Sequence, residues 1–136
     1  MMLEQYEEAI KYLGMAISIN ENNVGALSLK GVALRNLGKD EEAIESLDRA
    51  ISIDENNPGA FYNKGYALRN LGKYEEAIES FDRVISLDEN NVDAWFQKGY
   101  TLGCLRKYQD GMDCFDRVIS LDENNVDAWS YKGLIS

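Results

Sequence analysis

The sequence predicts an all-α fold, a solenoid of antiparallel helix pairs, and three observations indicate it. The tetrad Asp-Glu-Asn-Asn recurs every 34 residues, at 54–57, 88–91 and 122–125. Apolar residues between these tetrads follow helical spacing, and the chain has only one proline, which fits helices better than a sandwich of short strands. A repeat of this length is one supersecondary unit that buries its apolar face by stacking on copies of itself.

Three complete repeats and two half repeats account for all 136 residues. Residues 24–57 and 58–91 are identical at 25 of 34 positions, and 58–91 and 92–125 are identical at 19. The flanking stretches match parts of the same unit, 1–23 its second helix and 126–136 its first helix. We therefore expect a single array with complete repeats at 24–57, 58–91 and 92–125.

Each repeat is expected to hold two helices joined at a glycine. Gly38 and Gly72 stand where the first helix ends, because glycine takes the left-handed conformation there without a side-chain clash. Glu75 and Glu76 then fill the first turn of the second helix, where the helix dipole favours negative charge. The second helix stops at the Asn-Asn pair, whose side chains can cap the next first helix, and Pro58 sits at a position that a helix start tolerates.

The pattern resembles the tetratricopeptide repeat (TPR) in length and in the placing of small and large residues. The second unit carries the resemblance most clearly, with Phe61, Gly65, Tyr74, Ala77 and Phe81 in the characteristic positions. The resemblance covers the whole chain and implies a right-handed superhelix whose first helices line a concave groove. It implies little about function, because the family is broad.

Two departures from the family pattern bear on packing. Lysine takes the usual leucine position before the glycine in every copy, so its stem is expected to pack while its ammonium group reaches solvent. The unit at 92–125 has Arg106 in the turn-glycine position and Gly111 in the usual alanine position. Glycine within a helix costs about 1 kcal/mol relative to alanine, so we expect this unit to be the least stable. The lysines are Lys30, Lys64, Lys98 and Lys132.

Glutamate replaces the helix-ending proline of the family pattern, which leaves the turn to the asparagines. Most acidic side chains run along the second helices, which are expected to form a solvated convex face. Acid–arginine pairs four residues apart are favourable on such a face. These pairs are Glu45–Arg49, Glu79–Arg83 and Asp113–Arg117.

The resemblance assigns the groove to the first helices, and spacing of three and four independently places the same residues on one helical face. Aromatic and arginine side chains dominate protein interfaces, so they are the expected anchors. The alternative is that the aromatic residues pack between adjacent first helices and that the arginines are ordinary solvated charges. The candidate groove residues are Arg35, Asn36, Tyr62, Asn63, Tyr66, Arg69, Asn70, Phe96, Gln97 and Tyr100. The same face is expected to include Ser28, Val32, Cys104, Ser130, Tyr131 and Leu134.

Composition weighs against several functions. The net charge of −10 disfavours nucleic acid, whose phosphates need a basic surface. No stretch has the length of a membrane span and the start lacks a secretion signal, so we expect no membrane partner and a cytoplasmic location. The sequence contains no histidine and no glycine-rich phosphate loop, so we expect neither an enzyme nor a cofactor.

The two cysteines, Cys104 and Cys114, are expected to be free thiols and not metal ligands. They lie ten residues apart with no histidine in the chain, which fits neither a zinc site nor a disulfide framework. Asp88 and Asn90, followed by Asp93, loosely resemble a calcium loop, but the required glycine and terminal glutamate are missing. Helix termination and capping explain these residues better.

One TPR subfamily binds the C-terminal carboxylate of chaperones with lysines, asparagines and an arginine on three successive first helices. Only Asn63 matches that set here. Asp93 or Asp127, depending on the register, stands where a lysine would meet the carboxylate, and the charges would repel. Binding of a heat-shock chaperone tail is therefore not expected to be the main function.

We predict a non-catalytic scaffold that binds a peptide segment of an unidentified partner protein in the concave groove. The alternative is a structural segment of a longer array, without a ligand of its own, that self-associates head to tail. In that case an apolar face is open to water at each end of the array. The expected contact joins Trp129 and Leu134 of one molecule to Tyr6, Ala9 and Leu13 of the next.

Overall fold

A computed structural model describes residues 3–136, so the first two residues of the predicted half repeat at 1–23 lie outside the described residues. Within this range the chain forms helices and no strand, and consecutive helices pack against each other, which confirms the all-α solenoid. The helices are α1 (Leu3–Ile19), α2 (Val24–Asn36), α3 (Asp40–Ile53), α4 (Pro58–Asn70), α5 (Tyr74–Leu87), α6 (Val92–Cys104), α7 (Tyr108–Leu121) and α8 (Val126–Ile135).

Asparagine side chains cap the start of every even-numbered helix. The Oδ1 atom of Asn57 accepts a hydrogen bond from the backbone N–H of Ala60 at 3.1 Å, and the corresponding asparagine does the same at α2, α6 and α8. The preceding turn is tightened by Asp54, whose Oδ1 accepts from the N–H of Asn56 at 3.1 Å. The prediction that asparagines replace proline in holding this turn is confirmed.

The turn between first and second helices uses the left-handed backbone conformation. Gly38 and Gly72 have φ angles of 79° and 77°, as predicted. Arg106 takes the same conformation with a φ angle of 62°, although this region costs an L-residue about 1–2 kcal/mol. The hydrogen bonds of the turn are preserved, because the N–H of Lys107 still reaches the carbonyl oxygen of Leu102 at 2.9 Å.

Glycines in the middle of the first helices let the second helices approach. A Cβ atom at Gly31 would lie 2.5 Å from Cγ of Leu47, and one at Gly65 would lie 2.8 Å from Cε1 of Phe81. Both of these large side chains are fully buried. Each glycine therefore receives a large core side chain from the second helix of its own pair.

The α6–α7 pair adds a second glycine to this contact. A Cβ atom at Gly111 would lie 3.1 Å from the carbonyl oxygen of Gly99, and one at Gly99 would lie 3.2 Å from the carbonyl oxygen of Gly111. The backbones of the two helices thus meet directly. Gly111 has a packing role that its helix propensity alone did not indicate, and the low stability expected for this unit stays a prediction.

The stack bends toward its first helices. Helices α2, α4, α6 and α8 contact one another in sequence, whereas no contact links α3, α5 and α7 to one another. Helices that touch lie on the inner side of a curve, and helices that are separated lie on the outer side. The concave face is therefore formed by the four even-numbered helices.

Ion pairs that the sequence did not predict join successive repeats. Lysines of α4, α6 and α8 each reach an aspartate of the preceding helix, and no ion pair of the expected four-residue spacing forms in residues 3–136. Arg83 instead lies 5.6 Å from the ring centre of Phe61, because a side chain of α5 can cover the aromatic residue of α4. The pairs that form are Lys64–Asp48 at 2.7 Å, Lys98–Asp82 at 2.6 Å and Lys132–Asp116 at 2.6 Å.

Candidate peptide-binding groove

The candidate groove residues lie on three of the four helices of the concave face. The C-terminal half of α2, most of α4 and the centre of α6 carry them, because a spacing of three and four repeats one helical face. Asn36 and Asn70 are exposed, and the other eight are half-buried. Half-burial means that these side chains are ordered by packing and still present atoms to solvent.

The interface between α2 and α4 is organised by Arg35. Its guanidinium carbon lies 4.3 Å from the ring centre of Tyr66, and its Nε donates a hydrogen bond to Oδ1 of Asn63 at 3.1 Å. A guanidinium over an aromatic face is attracted by the ring quadrupole. Arg35 is therefore packed into the groove wall and is not an ordinary solvated charge.

The interface between α4 and α6 repeats this arrangement with Arg69. Its guanidinium carbon lies 4.2 Å from the ring centre of Tyr66 and 4.9 Å from that of Tyr100. Its Nη1 donates a hydrogen bond to Oε1 of Gln97. Arg69 thus spans two first helices and contacts two tyrosine rings, which fixes the position of its charge.

Two of the aromatic candidates also belong to the core. The ring of Tyr62 packs edge-on against Phe81 at 5.9 Å, and that of Phe96 packs against Phe115 at 5.5 Å. Burial raises the pKa of the Tyr62 hydroxyl, and the nearby carboxylate of Asp93 raises it further. These two residues form the floor of the groove.

An open pocket of about 300 Å³ lies where α4, α6 and α8 meet. Five of the candidate residues line it: Tyr66, Arg69, Phe96, Gln97 and Tyr100. The other two lining residues are Asp127 and Tyr131 of α8. The repeat register already indicates them, because they are the equivalents of Asp93 and Gln97 in the preceding unit.

The remaining candidates lie outside this pocket, and most of them make contacts within the helical stack. The Nδ2 atom of Asn63 donates to the carbonyl oxygen of Gly59 at 2.8 Å, and that of Asn70 donates to Oδ1 of Asp40 at 3.4 Å. Arg35 and Tyr62 belong to the α2–α4 interface, and Asn36 lies at the exposed end of α2. The structure therefore brings together half of the predicted set.

The residues predicted for self-association lie at the two ends of the stack. Tyr6, Ala9 and Leu13 are half-buried on α1, which packs on α2. Trp129 and Leu134 of α8 are 53% and 77% exposed. The indole Nε1 of Trp129 donates to the carbonyl oxygen of Glu123 at 3.0 Å, so the exposed ring has a defined orientation.

The cysteines occupy different environments. Cys104 is exposed at the end of α6, and Cys114 is buried, which raises its pKa to about 11. In the part of the chain that the structure describes, no group of three or more cysteine, aspartate or glutamate side chains is placed to hold a metal ion. No helix of the same residues is long and apolar enough to cross a membrane.

Stacked helix pairs with capped turns and an inner face of aromatic and arginine residues define a helical-repeat protein. Family models of the tetratricopeptide repeat match residues 58–91 and 92–125, and a TPR repeat model matches residues 31–71. The matches run from 31 to 125, and the chain belongs to the tetratricopeptide repeat family. A search of curated proteins gave no match.

Several solved structures share the fold. MamA superimposes with a TM-score of 0.93 at 24% identity, over 96% of this chain and 76% of MamA, and this likeness concerns the fold alone. YrrB, described as a TPR protein with an unusual peptide-binding site, has a TM-score of 0.88 at 25% identity, over 96% and 67% of the two chains. The first TPR domain of Spaghetti (RPAP3), bound to the HSP90 peptide SRMEEVD, has a TM-score of 0.80 at 25% identity, over 82% and 89%.

Proposed function

We propose that this chain is a non-catalytic protein-interaction scaffold that binds an extended peptide segment of a partner protein in the concave groove. The observation that carries the proposal is the position of Arg69. Its guanidinium is stacked on Tyr66 and Tyr100 at the edge of an open pocket of about 300 Å³. A peptide carbonyl or side-chain oxygen in that pocket would accept a hydrogen bond from a donor that is already held in place.

Preorganisation explains why these residues suit binding. Ordering a flexible side chain at an interface costs about 0.5–1.5 kcal/mol, and Arg69 is already ordered by two rings and by Gln97. Tyrosine and arginine are also the residue types that most often dominate binding energy. The half-buried tyrosine rings offer apolar area, and the guanidinium offers directed donors, on the same wall of the groove.

Two of the similar structures support a peptide ligand. The charge of this pocket indicates that the ligand differs from the acidic peptide bound in one of them. YrrB is described with a peptide-binding site, and the RPAP3 domain is bound to a peptide that ends in EEVD. Here Asp127 lines the pocket, so an acidic peptide tail would meet a like charge. We therefore propose a ligand other than an acidic C-terminal tail.

Selection from a phage-displayed library of short random peptides tests this function. Peptides enriched on the wild-type chain are measured against the double variant Tyr66→Ala/Arg69→Ala. We expect at least about a 30-fold loss of affinity, or about 2 kcal/mol, the equivalent of one lost hot-spot residue. Enriched peptides that bind the double variant equally well would contradict the groove assignment.

A matched control is available on the convex side. Arg83 stacks on Phe61 much as Arg69 stacks on Tyr66, but it lies on α5, outside the groove. Arg83→Ala removes the same charge and a similar cation–π contact. Because Arg83 lies outside the groove, the affinity of this variant for the enriched peptides should equal that of the wild type. A comparable loss in both variants would mean that net charge, and not the groove, governs binding.

We propose head-to-tail self-association as a second function, and one glycine favours it. Gly133 of α8 is the equivalent of Gly31 and Gly65, yet a Cβ atom there would meet nothing within 4 Å. Leu13 of α1 is the equivalent of the buried Leu47, but it is only half-buried. Leu13 of a second molecule would fit against Gly133 as Leu47 fits against Gly31.

In that arrangement Trp129 and Leu134 pack on Tyr6, Ala9 and Leu13 of the next molecule. Sedimentation velocity over a wide concentration range tests it, with Trp129→Asp as the disrupting variant. Ile53→Asp is the matched control, because Ile53 is 43% exposed and lies on α3, which contacts only α2 and α4. A chain that stays monomeric at every concentration, or that associates equally in both variants, rules this contact out.

A further inference from the structure

The three interfaces between neighbouring first helices are not chemically equivalent. At the first, Arg35 stacks on Tyr66, and at the second, Arg69 stacks on Tyr100. Each pair is separated by 31 residues, and the same spacing at the third interface gives Gly103 and Leu134. Both partners of the stack are therefore replaced together.

The hydrogen-bond acceptor of the stack is replaced as well. Arg35 donates to Asn63 and Arg69 donates to Gln97, and the equivalent position at the third interface is Tyr131. A cationic, hydrogen-bonded arrangement at two interfaces thus gives way to an uncharged one at the third.

An apolar cleft of about 250 Å³ opens where the arginine is missing. A Cβ atom at Gly103 would meet nothing within 4 Å, so the space that an arginine stem would enter is empty of protein. No charged side chain lines the cleft. Its walls include Tyr100, Phe115, Tyr131, Leu134 and Ile135.

The cleft belongs to the groove face of the stack. Three residues of the cleft have equivalents at the preceding interface: Arg69 for Gly103, Asn70 for Cys104 and Tyr100 for Leu134. These equivalents lie on the groove face, and the helices that follow them in the stack do not cover that face. A ligand that lies in the groove would therefore pass over the cleft.

The apolar cleft and the polar pocket share one wall. Tyr100 and Tyr131 line both, with ring centres 5.4 Å apart and ring planes at 87°. On one side of this pair the pocket holds Arg69 and Asp127, and on the other side the cleft holds only uncharged groups. Neighbouring residues of one extended peptide would reach both.

We infer that the groove recognises a peptide in which an aliphatic or aromatic side chain enters the cleft and a neighbouring neutral amide enters the polar pocket. The inference rests on the proposed peptide-binding function. An amide can accept a hydrogen bond from Arg69 and donate one to Asp127 at the same time. A carboxylate would be attracted by Arg69 and repelled by Asp127, and a lysine or arginine the reverse, so neither charged group satisfies both partners as the amide does.

Cys104 lines the cleft and is exposed, so it serves as an attachment point for testing the apolar half of this proposal. The chain is equilibrated with disulfide-linked probes under competing β-mercaptoethanol, and the labelled fraction is read by mass spectrometry. The probes carry a phenethyl, an isobutyl or a hydroxyethyl group. We expect the two apolar groups to be retained about tenfold better than hydroxyethyl, because they bury carbon in the cleft.

The matched control places the thiol at the same position of the preceding unit. In the variant Cys104→Ser/Asn70→Cys the thiol lies beside Arg69 and away from the cleft, so all three probes should be retained alike. Gly103→Arg, which restores the arginine of the other interfaces, should also abolish the preference without lowering the melting temperature. Equal retention of apolar and hydroxyethyl probes at Cys104 overturns the cleft assignment.

A second pair of probes tests the amide half. Phenethyl probes that carry a terminal carboxamide or a terminal carboxylate are compared at Cys104 in the wild type and in Asp127→Asn. We expect the wild type to retain a larger fraction of the carboxamide probe than of the carboxylate probe. In Asp127→Asn, the retained fraction of the carboxylate probe should increase. A wild-type preference for the carboxylate contradicts the amide assignment. Phage-selected peptides that still require Arg69 would show that the groove binds peptides even if the cleft assignment fails.

Discussion

The helix pairs α4–α5 and α6–α7 have the same lengths and the same caps, but their helices approach each other differently. In the first pair, the ring of Phe81 lies against Gly65. In the second, a Cβ atom at Gly99 or at Gly111 would lie 3.1–3.2 Å from the carbonyl oxygen of the other glycine, in addition to the contact of Phe115 with Gly99. A large side chain and a direct backbone contact are thus two ways to seat a second helix on a first.

The turns of the two pairs differ in the same way. Gly72 takes the left-handed conformation without strain, and Arg106 takes it with a side chain, yet both turns keep the same hydrogen bonds. The pairing of the helices is determined by packing over the whole interface, so one unfavourable backbone conformation is tolerated. The local residue choice can vary while the geometry of the repeat stays constant.

The largest effect is expected from removing the aromatic core of the α4–α5 pair. Phe81→Ala should lower the free energy of unfolding by about 3–5 kcal/mol, because a fully buried ring leaves a cavity. Urea unfolding followed by circular dichroism measures it. Glu76→Ala, at an exposed position of the same helix, should change stability by less than about 0.5 kcal/mol. A loss below about 1 kcal/mol for Phe81→Ala contradicts the core assignment.

A smaller change in stability distinguishes packing through a large side chain from packing through a direct backbone contact. Gly111→Ala should lower stability by about 1 kcal/mol, because overpacking costs about 1–3 kcal/mol and outweighs the gain of alanine in a helix. The new Cβ would press on the carbonyl oxygen of Gly99, which is backbone and moves little. Gly103→Ala meets open space and should gain about 0.5–1 kcal/mol. Equal gains in both variants would show that the Gly111 contact is not restrictive.

The turn of the α6–α7 pair provides the next prediction. Arg106→Gly should raise stability by about 0.5–1 kcal/mol, because relief of the left-handed strain exceeds the added entropy of the unfolded chain. Gly72→Arg, the reverse exchange in the α4–α5 pair, should lower stability by a similar amount. Thermal unfolding of the two variants beside the wild type measures both changes. A loss on Arg106→Gly would mean that the arginine side chain stabilises the turn.

The smallest expected effect is a pH dependence of stability in the α6–α7 pair, and it appears only at alkaline pH. Cys114 occupies the position of Ser46 and Ser80, and burial raises its pKa to about 11, compared with about 8.5 in an unfolded chain. The neutral thiol therefore contributes stability that is fully present below pH 8.5 and is lost as pH rises toward 11. The difference in unfolding free energy between wild type and Cys114→Ser should change across this window. A difference that stays constant with pH contradicts the raised pKa.

Many features of the fold follow from short stretches of sequence, so they were predictable. The caps connect residues three apart, such as Asn57 and Ala60, and the turn at Gly72 depends on the conformation of one residue. The 34-residue period then places each helix pair beside its copy. The face that carries Tyr66 and Arg69 was likewise predictable, because helical spacing alone defines it.

Contacts between distant residues were not predictable in the same way. The pair Lys64–Asp48 joins residues 16 apart, and the stack of Arg35 on Tyr66 joins residues 31 apart. Which side chains meet across such distances depends on the rotation and separation of packed helices. Arg83 illustrates this, because it covers Phe61 instead of forming an ion pair with the glutamate four residues earlier.

The sequence by itself determined the class of fold, the turns, the caps and the helical face of the groove, because these depend on local conformation and on an exact repeat. Only the tertiary structure decided which groove residues surround one pocket and that Gly103 opens a cleft beside it. Both features arise where three helices meet, at Tyr100 and Tyr131. The shape of such a junction depends on how closely backbones approach, and close packing makes that distance a property of the whole stack.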